Sequence, residues 1–69
     1  MAQIMRLKVN GEPIECGART VGGLLEELGI SAPAVAVEVN SVIVKKKDFT
    51  NFALKEDDQV EIVNFVGGG

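Results

Sequence analysis

The sequence contains no histidine, tryptophan or tyrosine, and it has one cysteine and two prolines. Without histidine, and with a single thiol, the chain by itself holds neither a zinc finger nor an iron–sulfur cluster. It also lacks a Ser-His-Asp or Cys-His nucleophile. One cysteine forms no internal disulfide, so the fold rests on its core alone. There is no surplus of positive charge: seven Lys and Arg stand against ten Asp and Glu, for a net charge of −3 and a pI near 4.7. That balance argues against nucleic acid or an anionic membrane as the main partner, because phosphate binding draws on a basic surface. No apolar run approaches the ~20 residues of a membrane span. The first residues lack a basic stretch followed by a long apolar one, so no secretory signal is expected and a cytoplasmic location is. A Gly-x-x-x-x-Gly-Lys-Ser/Thr phosphate loop is missing, so ATP is expected to bind elsewhere. Finally, 69 residues make one small domain with little room for a ligand pocket of about 300–1,000 Å³. A binding module or a protein substrate is expected, not a self-sufficient enzyme.

Hydrophobic residues make up 46% of the chain, enough for a core, and their spacing orders the elements. Residues 4–9 alternate, with Met5, Leu7 and Val9 on one face and Arg6 and Lys8 on the other, which predicts a half-buried strand. Asn10-Gly11 tolerates the positive φ of a type I′ turn and predicts a hairpin into residues 12–16. Pro13 lacks a backbone donor and places that second strand at a sheet edge. Thr20 suits a helix N-cap. Val21, Leu24, Leu25 and Leu28 follow at i, i+3, i+4 and i+7, one apolar stripe, and Gly29 suits the C-terminal stop. Val35, Val37 and Val39 alternate with Ala36 and Glu38 in a third strand. Asn40-Ser41 is a turn, and residues 42–44 are a short fourth strand ended by Lys45-Lys46-Lys47. Asp48 is expected to cap a short helical turn carrying Phe49 and Phe52. Residues 59–65 make the last strand, with Val60 and Ile62 on one face and Glu61, Val63 and Phe65 on the other. The order is ββαββ, a short helical piece, then β, an α+β chain of two layers. With the last strand beside the first, this is a β-grasp, or ubiquitin-like, fold: a mixed sheet of about five strands packed on one helix. The β-grasp domain is expected over residues 1–66, with a flexible glycine tail over residues 67–69.

The hairpin, the Thr20-Val21 helix start with Leu24-Leu25, the Ala36-Val37-Glu38-Val39-Asn40 strand and the ending Val60-Glu61-Ile62-Val63-Asn64-Phe65-Val66-Gly67-Gly68-Gly69 together resemble the ThiS family of sulfur carriers in thiamin biosynthesis. The resemblance runs the full length and is most specific in the Phe65-Val66-Gly-Gly-Gly ending. Lys45-Lys46 and Phe49 stand where many members carry Pro-Arg and Trp, and Asp57-Asp58 replaces a Gly-Asp turn. The resemblance implies that an E1-like enzyme binds the carrier with ATP and Mg²⁺ and adenylates the Gly69 carboxylate. A sulfur donor protein then leaves a thiocarboxylate there, and thiazole synthase takes the sulfur. Gly68 is expected to act with Gly69 at this site, and Gly67, Val66, Phe65 and Val63 are expected to meet the partner. The chain itself is then a co-substrate that holds no cofactor or metal.

The physical reading of the tail agrees. Three glycines add no side-chain burial and are expected to be mobile in isolation. Extended, they reach about 10 Å and, lacking Cβ atoms, suit a narrow channel into a partner's active site. A carboxylate is a poor electrophile until its oxygen becomes a good leaving group, so activation must precede sulfur attack. The bland alternative is a frayed end or linker remnant. Val63 and Phe65, facing away from the helix, suggest a docking patch beside the tail. Cys16 is expected to be a small buried hydrophobe. Lys45-Lys46-Lys47 is expected to guard a sheet edge. Gly22-Gly23 fits either close packing or a weak anion site. The acidic groups Glu26-Glu27 and Glu56-Asp57-Asp58 are expected to be solvated. Two other functions stay open: a sister carrier of the type of the molybdopterin synthase small subunit, and a non-covalent β-grasp interaction module.

Overall fold

The computed structural model describes residues 4–31 and 35–64. It contains strands β1 (Met5–Val9) and β2 (Glu12–Cys16), helix α1 (Val21–Leu28), strands β3 (Val35–Val39) and β4 (Val42–Val44), a 3-10 helix at Lys46–Asp48, and strand β5 (Gln59–Asn64). The strands form one five-stranded sheet in the order β2-β1-β5-β3-β4. β5 runs parallel to β1 and antiparallel to β3. The last strand therefore lies at the sheet centre beside the first, as a β-grasp fold requires. β2, with Pro13, is an edge strand as expected.

Local chemistry accounts for most of the boundaries. Asn10 and Gly11 have φ of 51° and 84°, and Asn40 and Ser41 have 51° and 71°. Both pairs are positive, as tight hairpins with right-handed strand twist demand. The Thr20 hydroxyl accepts from Gly23 N–H at 3.1 Å. At the other end Gly29 adopts φ 72°. Gly29 N–H and Ile30 N–H there donate to the Glu26 and Leu25 carbonyls, the Schellman arrangement.

One core fills the space between helix and sheet. Val21, Leu24 and Leu25 of α1 cluster with Leu7, Val35, Val37, Val39, Val60 and Ile62, and with Cys16, Val44, Phe49 and Leu54. Cys16 is buried as a small hydrophobe. The stripe is shorter than the periodicity predicts: Leu28, at the helix end, is 39% exposed, because the chain turns away at Gly29. Met5 is only half-buried.

The segment after β4 also departs from expectation. Asp48 ends the 3-10 helix instead of capping it, and Lys45 precedes the helix without a side-chain cap. Lys46 and Lys47 belong to the 3-10 helix itself. The following loop closes over the start of α1. Phe52 carbonyl accepts from Val21 N–H at 3.1 Å, and Phe49 carbonyl from Gly22 N–H at 2.8 Å. With Thr20 taking Gly23 N–H, the three donors of the first turn are all occupied, so this helix start has no spare N–H for an anion. A Cβ on Gly22 would make an ordinary contact, 3.4 Å from the Phe49 carbonyl oxygen, whereas one on Gly23 would crowd the Ala18 methyl at 3.2 Å.

Candidate functional site

The sequence places the site at the end of β5. Of its residues, Val63 is described; Phe65, Val66, Gly67, Gly68 and Gly69 lie outside the described residues, as does the boundary between domain and tail. The structure therefore speaks to the platform from which the tail departs.

That platform is β5 gripped from both sides by two asparagines. β1 pairs with β5 only at Lys8–Gln59 and Val9–Val60. Beyond that point the Asn10 side chain substitutes for strand. Its Nδ2 donates to the Ile62 carbonyl at 3.2 Å, and its Oδ1 accepts from Ile62 N–H at 2.8 Å. On the other flank Asn40 Oδ1 accepts from Gln59 N–H at 3.0 Å, and its Nδ2 donates to Asp58 Oδ1 at 2.9 Å. Asp58 Oδ2 accepts from Lys55 N–H at 2.8 Å, and the residue is buried. Asp58 is thus a structural clasp, not the solvated turn residue that the acidic run predicts. Glu27 is likewise engaged, accepting from Gly17 N–H at 3.0 Å. Glu56 accepts from Arg6 N–H at 3.0 Å and pairs loosely with the Arg6 guanidinium.

In the sequence Asn10 and Asn40 read as turn formers alone. Their second role depends on β5 arriving beside them, and the only prior signal was an asparagine at the first turn position of both hairpins. Replacing Asn10 with glycine keeps the positive φ and removes the amide. Asn10→Gly is expected to cost about 1–3 kcal/mol, since two groups of Ile62 lose their partner. Denaturant unfolding measures that loss, and faster exchange of the Ile62 amide locates it.

The open sheet face carries the second part of the site. Val63 stands opposite Ala36 on that face and is 53% exposed, as the alternation along β5 predicts. Ile43 of β4, 70% exposed, joins it. Glu38 and Glu61 oppose each other on the same face. Among the described residues there is no group of three or more potential metal ligands, and no helix is long and apolar enough to cross a membrane.

Comparison with known proteins adds the following. The ThiS family model matches residues 6–69. A protein from Magnetococcus marinus named thiazole synthase is 44% identical over 66 residues, which are 94% of this chain and 20% of that protein. A second thiazole synthase, from Paramagnetospirillum magneticum, is 46% identical over the same length and coverage. The chain thus spans about a fifth of the length of these two relatives. The sulfur carrier protein ThiS of Thermus thermophilus is 33% identical over 61 residues, 88% of this chain and 95% of that one. The crystal structure of the thiamine biosynthesis protein ThiS from Geobacter metallireducens superposes with a TM-score of 0.78 at 38% identity. It covers 94% of this chain and 100% of that one.

Proposed function

This chain belongs to the ThiS family, and on that premise we propose that it is a sulfur carrier for thiazole formation, loaded at the Gly69 carboxylate. The observation that carries the reading is the family match through residue 69, which takes in Gly67-Gly68-Gly69. The β-grasp body, with β5 at its centre, supports it by holding the strand that leads to those glycines.

The chemistry follows from what a carboxylate requires. A Gly69 oxygen attacks the α-phosphorus of ATP and pyrophosphate leaves, giving an acyl-adenylate. Sulfur at the sulfide level then adds to the carbonyl carbon, and AMP departs with the acyl oxygen, leaving a thiocarboxylate. Both steps need groups absent from a sequence without histidine or a phosphate loop. An E1-like enzyme supplies them together with ATP and Mg²⁺, and a sulfur donor protein supplies the sulfur. Gly68 and Gly67 let the peptide enter a narrow active site, while Val66, Phe65 and Val63 meet the partner's surface. Thiazole synthase is the acceptor. Two proteins of that name contain a segment like this chain within a longer polypeptide, as suits proteins that work together. A cytoplasmic location, where ATP is at hand, fits this loading.

Intact mass tests the reading. After incubation with ATP, a sulfur source and the E1-like enzyme of the same cell, one oxygen is expected to be replaced by sulfur at Gly69, and only with ATP present. An unchanged mass, with that enzyme active on another carrier, refutes it.

A further inference from the structure

The open sheet face has an electrostatic feature that the fold alone does not explain. Glu38 of β3 and Glu61 of β5 stand directly opposite each other, and both are exposed. Like charges so placed destabilise a sheet. Among the described residues neither carboxylate has an ion-pair partner. Lys8 of β1 stands opposite Gln59, one same-face step short of Glu61. Glu38 and Glu61 line a hollow of about 140 Å³ together with Ala36, Val37, Ile43 and Val63. The methyl group of Ala36 leaves the hollow between Ile43 and Val63 unfilled.

An apolar hollow edged by two carboxylates matches a long side chain with an aliphatic stem and a cationic head. Arginine fits better than lysine. Its planar fork carries five N–H donors and can address two carboxylates at once, and it sheds water more readily than an ammonium. We infer that Glu38 and Glu61 accept one arginine of the partner protein, whose stem lies against Ile43 and Val63. This rests on the carrier reading above and specifies the surface that thiazole synthase must present: an arginine rising from an apolar patch. Val63 is six residues from Gly69, at most about 20 Å along the chain, so a protein that receives the tail is within reach of this hollow. In the free chain the repulsion between the carboxylates persists, and binding relieves it.

The test is titration calorimetry of the full chain against thiazole synthase from the same organism, with thermal unfolding of the free chain alongside. The double variant Glu38→Gln/Glu61→Gln is expected to unfold at the same or a higher temperature. Its affinity is expected to fall about 30-fold or more, and the salt dependence of wild-type binding should flatten. Glu38→Lys is expected to remove detectable binding. If the double variant binds as tightly as wild type, the arginine acceptor is wrong and the carrier reading stands. If wild type itself does not bind, this inference fails together with the proposed acceptor, while intact mass still judges the loading chemistry on its own.

Discussion

Deleting Gly69 is expected to abolish sulfur loading while leaving the fold intact. An extended chain advances about 3.5 Å per residue, so the shortened chain presents its carboxylate that far from the position the full chain reaches. Displacements of about 1 Å at a reacting centre can already cost about 100-fold in rate, so loading should fall at least that much. The core that sustains the fold includes Leu7, Leu24, Val37, Val60 and Ile62 and draws nothing from a glycine side chain. Thermal unfolding should therefore shift by no more than a surface change does, about 0.5 kcal/mol. Adding one residue after Gly69 should have the same two effects. A non-covalent interaction module would tolerate both changes, so retained function in either variant would overturn the carrier reading.

Leu24→Ala should do the reverse, weakening the fold on which every function depends. Leu24 is fully buried on the face of α1 that meets the sheet. Truncating a buried leucine costs about 2–5 kcal/mol, from lost transfer energy and the cavity left behind. A domain of this size has roughly 3–10 kcal/mol in total, and no disulfide reinforces it. Denaturant unfolding should show most of the stability gone. Leu28→Ala, four residues on, is the control. Leu28 is already partly in water, and alanine is the better helix former, so its cost should stay below about 1 kcal/mol. Equal losses at both positions would contradict the placement of Leu28 outside the core.

Much of the architecture is legible in the sequence, for identifiable reasons. Valines at every second position of β3 admit one buried face, and all three are buried. Asn10-Gly11 and Asn40-Ser41 are residues that tolerate positive φ, and both adopt it. Thr20 and Gly29 cap α1 through bonds within a few residues of themselves. The expectations that failed share a cause. The fate of Leu28 depends on where the chain goes after Gly29, and that of Asp58 on the arrival of Asn40. The start of the 3-10 helix at Lys46 follows the closing of its loop over α1. For the candidate site, Val63 and its outward face were readable from alternation along β5, whereas the glycine ending was legible as a motif alone.

The sequence by itself determined the main elements, their order, the buried face of every strand but β4 and the chemistry available at Gly69, because periodicity, capping and turn preference act over a few residues and composition needs no geometry. The tertiary structure decided which distant groups meet. It set Glu38 against Glu61, brought Asn10 to Ile62 across 52 positions and closed the Phe49 and Phe52 carbonyls over the first turn of α1. Such pairings depend on strand order and register, which follow from burying one shared core, and no local stretch of sequence carries that information.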